Sequence, residues 1–129
     1  DGKAEGQLET VQEQIGFIAA MGEGNESEFI LLSLKDLTET GNVIDGMIGA
    51  WRSGDAQGLS ELFVEDMKVE APALYDTLLL ERNLKWIPQI NRMLQDADTE
   101  FVLVGAAHIV GENGLLDLLS QEGYEINQL

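Results

Sequence analysis

The chain has 129 residues, no cysteine, and 24 acidic against 7 basic side chains, for a net charge of −17. Such a field repels phosphate, which makes nucleic acid and anionic membrane surfaces poor partners, and the lack of thiols excludes disulfides and cysteine-built zinc sites. With 44 % hydrophobic residues the length suits a single domain over 1–129, and no apolar run approaches the roughly 20 residues of a membrane span.

The opening DGKAEGQLET is polar, has no signal-peptide core and lacks Met, as a processed or excised piece would. Val11, Ile15, Phe17, Ile18 and Met21 then recur at helical spacing, and GEGNE breaks the pattern. SEFILLSLKDLTET is expected to be a second helix, capped by Ser27 and closed by Gly41. NVIDGMIGAWRSGD reads as a separate, weaker third helix, because Gly46 and Gly49 each cost about 1 kcal/mol relative to Ala. Asp55 is placed to cap a fourth, through AQGLSELFVEDM. The longest helical stretch is APALYDTLLLERNLKWIPQINRMLQD. Pro72 suits its first turn, whereas Pro88 predicts a kink or break near Trp86–Ile87.

FVLVGA is apolar on both faces and rich in β-formers, so a buried strand is expected at 101–106. GLLDLLSQEGY is expected to be a short helix ended by Gly123, and YEINQL a second strand. The resulting expectation is an α/β fold, mostly α-helical, with a small sheet built on a C-terminal strand–helix–strand unit and helices packed around it. Two strands are too few for a sheet, so QLET near the start, a second copy of the chain or sequence upstream is needed to supply the rest, and the chain is expected to self-associate as a homo-oligomer.

Three places carry candidate chemistry. His108, the only histidine, follows an apolar run and precedes VGENG. An imidazole there can ligate a metal or move a proton, or it can simply bond a carbonyl. In LLLERNLKW, Arg82 is either an inward anion clamp or a surface residue stacked on Trp86, and Glu81 can pair with Lys85. Glu9, in LETVQEQ, can end a strand or cap a helix, a task Thr10 can do instead.

Together LETVQEQIGFI, LYDTLLLERNLKWIPQI and FVLVGAAHIVGENGLLDLLSQEGYEINQL resemble the C-terminal half of TraB/GumN-type proteins, the group that includes PrgY and the TIKI proteins. The most specific part is GAAH…GENGLL…GY, followed by ERN with Trp three residues on. Members carry two G-x-x-H motifs, and only the second, Gly105 to His108, is present here. The resemblance therefore implies a fragment of a longer, extracytoplasmic protein, beginning after the first motif. It implies a metal-dependent, peptidase-like hydrolase using Mn or Co, with His108 as one metal ligand and Glu9, Arg82 and Asn83 at other characteristic positions. The expected partner is a peptide or small-molecule substrate, and little or no metal is expected to bind this fragment. A non-catalytic module that sequesters a peptide or small ligand is the alternative. The three sites are expected to converge where the 101–106 run ends, with Glu81 and Lys85 facing outward.

Overall fold

Pro72 opens the central helix of the molecule, and everything that matters for the site hangs on it. A computed structural model describes residues 2–20, 24 and 26–129, without the side chains of 28, 29, 32, 33 and 35–42. Helices α1 (Val11–Ala20) and α2 (Glu26–Ser53) come first. Next, α3 (Ala56–Ser60), a π-helical turn (Glu61–Glu65) and α4 (Asp66–Glu70) run on as one rod. Ala71, at φ −145° and ψ 64°, breaks the rod, and Pro72 starts the return at a position where a missing N–H costs nothing. The return rod is α5 (Pro72–Tyr75), a second π-helical turn (Asp76–Leu80) and α6 (Glu81–Met93). Two short helices, α7 (Ala106–Ile109) and α8 (Leu115–Gln121), close the chain.

The two rods form a helical hairpin, and their apolar side chains fall into two clusters. Leu59, Val64, Tyr75, Leu79 and Val110 make one core cluster. Trp86, Ile87, Ile90 and Leu115 make the second, with Leu8, Val104, Leu118 and Leu119 against it. The spacing 83, 86, 87, 90 is the i, i+3, i+4, i+7 stripe of an amphipathic helix, and it fixes which face of α6 looks inward.

The caps follow the sequence. Thr10 and Glu13 form a reciprocal capping box: Glu13 N donates to Thr10 Oγ1 at 3.2 Å, and Thr10 N donates to Glu13 Oε2 at 2.7 Å. Asp55 Oδ1 accepts from Gly58 N at 2.9 Å. Gly123, at φ +94°, follows α8.

Several expectations are corrected. Helix accounts for 66 % of the chain and no strand occurs among the described residues. The fold is therefore all-α, and the small sheet with its strand–helix–strand unit does not form. Residues 101–105 and 124–129 have no regular structure; Phe101 is 88 % and Leu103 82 % exposed. A strand is stabilised by a neighbouring ladder, and no described segment supplies one, so an apolar composition alone leaves the run irregular. The second and third helices are one, because α2 continues through Gly41, Gly46 and Gly49, and Ser27 lies inside it rather than at its cap. Pro88 does not end α6, which runs on to Met93. Met21 lies outside the described residues.

Candidate functional site

The site is built from α6 outward. Arg82 and Asn83 are neighbours on the inner side, about 100° apart around the helix axis, and each engages a different part of the chain. Arg82 reaches back to the N-terminal segment, where Nε donates to Glu9 Oε2 at 3.1 Å and Nη2 to Glu9 Oε1 at 2.5 Å. Its Nη1 donates to Leu78 O at 3.0 Å, within the π-turn that precedes it. The pair is largely shielded, with side-chain exposures of 14 % and 11 %. The guanidinium also lies over Trp86 at 5.0 Å and Phe17 at 5.6 Å. A two-point fork between planar groups over aromatic faces is an arrangement lysine cannot reproduce. Lys85, the next turn along, bonds Glu13 rather than Glu81, so α1 and the segment before it are each tied to α6 by an ion pair.

Asn83 points the other way and is buried at 2 % exposure. Its Nδ2 donates to Asn113 O at 2.9 Å and to His108 O at 3.4 Å. With the amide nitrogen turned to two carbonyls, Oδ1 faces His108 Nδ1 at 2.7 Å. An amide oxygen only accepts, so Nδ1 carries the proton and Nε2 keeps its lone pair. The ring of His108 packs on Trp86, centroids 4.5 Å apart and planes tilted by 44°. Burial pushes its pKa down to about 4, the Arg82 charge adds to the shift, and Glu9 opposes it. The imidazole is neutral at pH 7.

The loop that presents those carbonyls explains GENG. Gly111 sits at φ +78°, and a Cβ there would lie 2.5 Å from Ser60 Oγ. A Cβ on Gly114 would lie 2.5 Å from Val110 O. Asn113 adopts φ 61°, which asparagine tolerates better than most residues, and its N–H donates to Asp117 Oδ2 at 2.9 Å. From the far side Tyr75 Oη donates to Glu112 O at 3.3 Å, and Lys68 bonds Glu112 while lying over the Tyr75 ring. The loop is thus clamped to α4 and α5.

Glu9, Arg82, Trp86 and His108 line one open cleft of about 1380 Å³, bounded by residues 2–9 and 98–105. So the structure brings Glu9, Arg82 and His108 to one cleft at the end of the 101–105 run, and places Asn83 behind His108. Glu81 and Lys85 are both exposed.

The TraB/PrgY/gumN family model matches residues 1–128. This chain belongs to the TraB/PrgY/gumN family. No curated protein and no solved structure matches it. In this TraB/PrgY/gumN chain, Trp86 and Asn113 take part in the site although sequence reasoning gave neither a site role. Trp86 was signalled only by its i, i+4 relation to Arg82, and Asn113 only by the Asn-Gly pair that marks a left-handed turn residue. One feature of the site is unsatisfied: Trp86 Nε1 is buried and, among the described residues, has no hydrogen-bond partner.

Proposed function

We propose that this TraB-family chain is the ligand-holding part of its domain, and that the cleft beside His108 takes an extended peptide or a small hydrogen-bond-donating ligand. The observation that carries this reading is the state of His108. Asn83 leaves its Nε2 as an acceptor, and the depressed pKa keeps it neutral. A general base works best with a pKa near the working pH. At about 4, His108 is a weak base but a sound acceptor for an amide N–H or a hydroxyl. Trp86 offers an apolar wall, and Glu5, Asp98 and Glu100 outnumber Lys3 along the rim, favouring neutral or basic ligands over anions.

Arg82 and Glu9 fit a positioning role better than a chemical one. Both Glu9 oxygens accept from Arg82, so Glu9 has no free lone-pair direction of the best geometry for a base, and the paired guanidinium presents little net charge to a substrate. Nor do the donors here fit a metal ion by themselves. His108 Nε2 is a single ligand, no three His, Cys, Asp or Glu side chains group together among the described residues, and catalytic zinc-type sites use three protein ligands.

Metal-dependent hydrolysis in a longer protein is the second reading. It is favoured by one feature: a hydrogen bond on the far ring nitrogen is how ligating histidines are oriented.

The test is a defined pool of short peptides, followed by equilibrium dialysis and mass spectrometry, with EDTA or with added Mn²⁺. We expect binding that EDTA leaves unchanged, no cleavage, and at least a tenfold loss of affinity in His108→Ala. Cleavage that requires Mn²⁺ would favour the second reading, and a pool in which nothing binds would defeat the first.

A further inference from the structure

Among its described side chains, the apolar seam of α2 contributes to neither the core clusters nor the site. Ile30, Leu34 and Leu37, then Gly41, Ile44, Ile48 and Trp51, are separated alternately by four and three residues. That is a 3.5-residue repeat held over three heptads, the spacing that keeps one seam of a helix facing a partner helix. The described seam residues are uncovered: Ile30 55 %, Leu34 55 %, Ile44 46 %, Ile48 45 % and Trp51 62 % exposed. The main packing partners of α2 are α3 and the π-turn at Glu61–Glu65, which meet its C-terminal part. A 28-residue helix containing Gly41, Gly46 and Gly49 is poorly supported by propensity and depends on packing.

We propose that α2 pairs with α2 of a second copy of this chain along that seam, as a two-stranded coiled coil. Three observations select this occupant. First, the period matches a helix of the same kind, over about 32 Å at 1.5 Å per residue. Secondly, the positions flanking the seam are Leu31, Ser33, Thr38, Thr40, Asp45, Met47 and Arg52. They hold one charge of each sign, in a chain whose net charge is −17, so copies meet where their mutual repulsion is least. Thirdly, covering the five exposed seam side chains on both copies removes on the order of 1,000 Å² from water, about the minimum for a specific interface. At the foot of the seam Ile48 and Trp51 open on an apolar hollow of about 270 Å³ with Leu59 and Phe63, which gives the partner's end a socket.

Equilibrium sedimentation tests this. The wild-type chain should be dimeric, and Ile30→Glu/Ile44→Glu should weaken association by about 100-fold or more, since each puts a charge where an apolar side chain would be buried. The imidazole signals of His108, the sole histidine, report whether the hairpin is intact and should not move. Should the charged pair disturb them, Ile44→Ala/Ile48→Ala is the milder variant, expected to weaken association about tenfold. Val69→Glu, on an exposed side chain of α4, should leave the dimer unchanged. A wild-type monomer at about 100 µM, where an interface of this size should be populated, overturns the proposal. So does a dimer that survives the seam variants but dissolves on Leu103→Glu, which would place the contact at the 101–105 run instead.

Discussion

Asn83 decides the chemistry of His108. One amide satisfies two loop carbonyls and one ring nitrogen, and this fixes both the loop and the tautomer. Replacing it with Leu strands those groups in a buried setting, at a cost of about 2–3 kcal/mol. Urea unfolding should record that loss. Long-range ¹H–¹⁵N spectra should show the Nδ1–H form in the wild type and a tautomer mixture in Asn83→Leu; an unchanged spectrum would refute the assignment. The same residue scale sets a pH dependence. In the folded chain His108 titrates at about 4, below its ordinary value of 6.5. Between those values the unfolded chain binds the extra proton, so folding is penalised as pH falls. The contribution is intact above about pH 6.5 and is lost as pH drops through about 4, on the order of 3 kcal/mol at its limit. Urea midpoints of the wild type and His108→Gln should therefore approach each other between pH 7 and pH 4. Parallel curves would show that His108 does not titrate this way.

The capping box of α1 and the glycine loop before α8 hold the site from either side. Glu13 serves the Thr10 cap and the Lys85 bond at once, and the Lys85 hydrogen bond, followed by those from Thr10, lowers its pKa to about 2. This linkage has the carboxylate sign: it is present above about pH 4.5 and lost as pH falls towards 2. Thr10→Ala should cost about 1 kcal/mol and fray α1, visible as earlier amide exchange through residues 11–20. On the other side, Gly111→Ala meets both a left-handed backbone and the Ser60 hydroxyl. Gly123→Ala meets only the backbone term, because open space surrounds it. The first should cost about 2 kcal/mol or more, the second about 1. Adding Ser60→Ala should recover part of the Gly111→Ala loss. Equal costs at the two glycines would mean that the close approach to Ser60 is unimportant.

At the level of the whole molecule, the Glu9–Arg82 fork fastens the N-terminal segment to the helical hairpin across 73 positions of sequence. Removing either partner alone leaves a shielded charge, so Glu9→Gln or Arg82→Met should each destabilise by about 2–4 kcal/mol, and the double variant by less than the sum. Additive losses would show that the two do not act as a pair. The net charge of −17 acts over the same scale. Its self-repulsion should be relieved by salt, so the wild-type melting temperature should rise between low salt and about 0.15 M, where the screening length falls to about 8 Å. A melting temperature that falls with salt would show that attractive pairs such as Glu9–Arg82 outweigh that repulsion.

Local signals were legible at several helix starts, though Ser27 and Gly41 misled as the cap and close of a second helix. Thr10-x-x-Glu13, Asp55 and Pro72 mark helix starts, because a cap or a first turn involves only the next few residues. The stacking of Arg82 on Trp86 follows from helical spacing, which by itself left open whether Arg82 turns inward, and TraB-family membership was readable from ERN and GAAH…GENG. Glycines alone did not reveal that α2 is continuous, since a propensity deficit of about 1 kcal/mol per glycine is a weak local preference that does not by itself end a helix. Phe101–Val104 looks like a strand in isolation, but strand formation needs a partner ladder that no local pattern can provide. The tautomer of His108 rests on Asn83 and Asn113, 25 positions before it and 5 after, and it needed all three in place. What the residues settle alone is where several helices begin, which side chains share a helix face and which family the chain joins. What the tertiary structure adds is which unpaired group meets which, because that depends on contacts between residues distant in the chain.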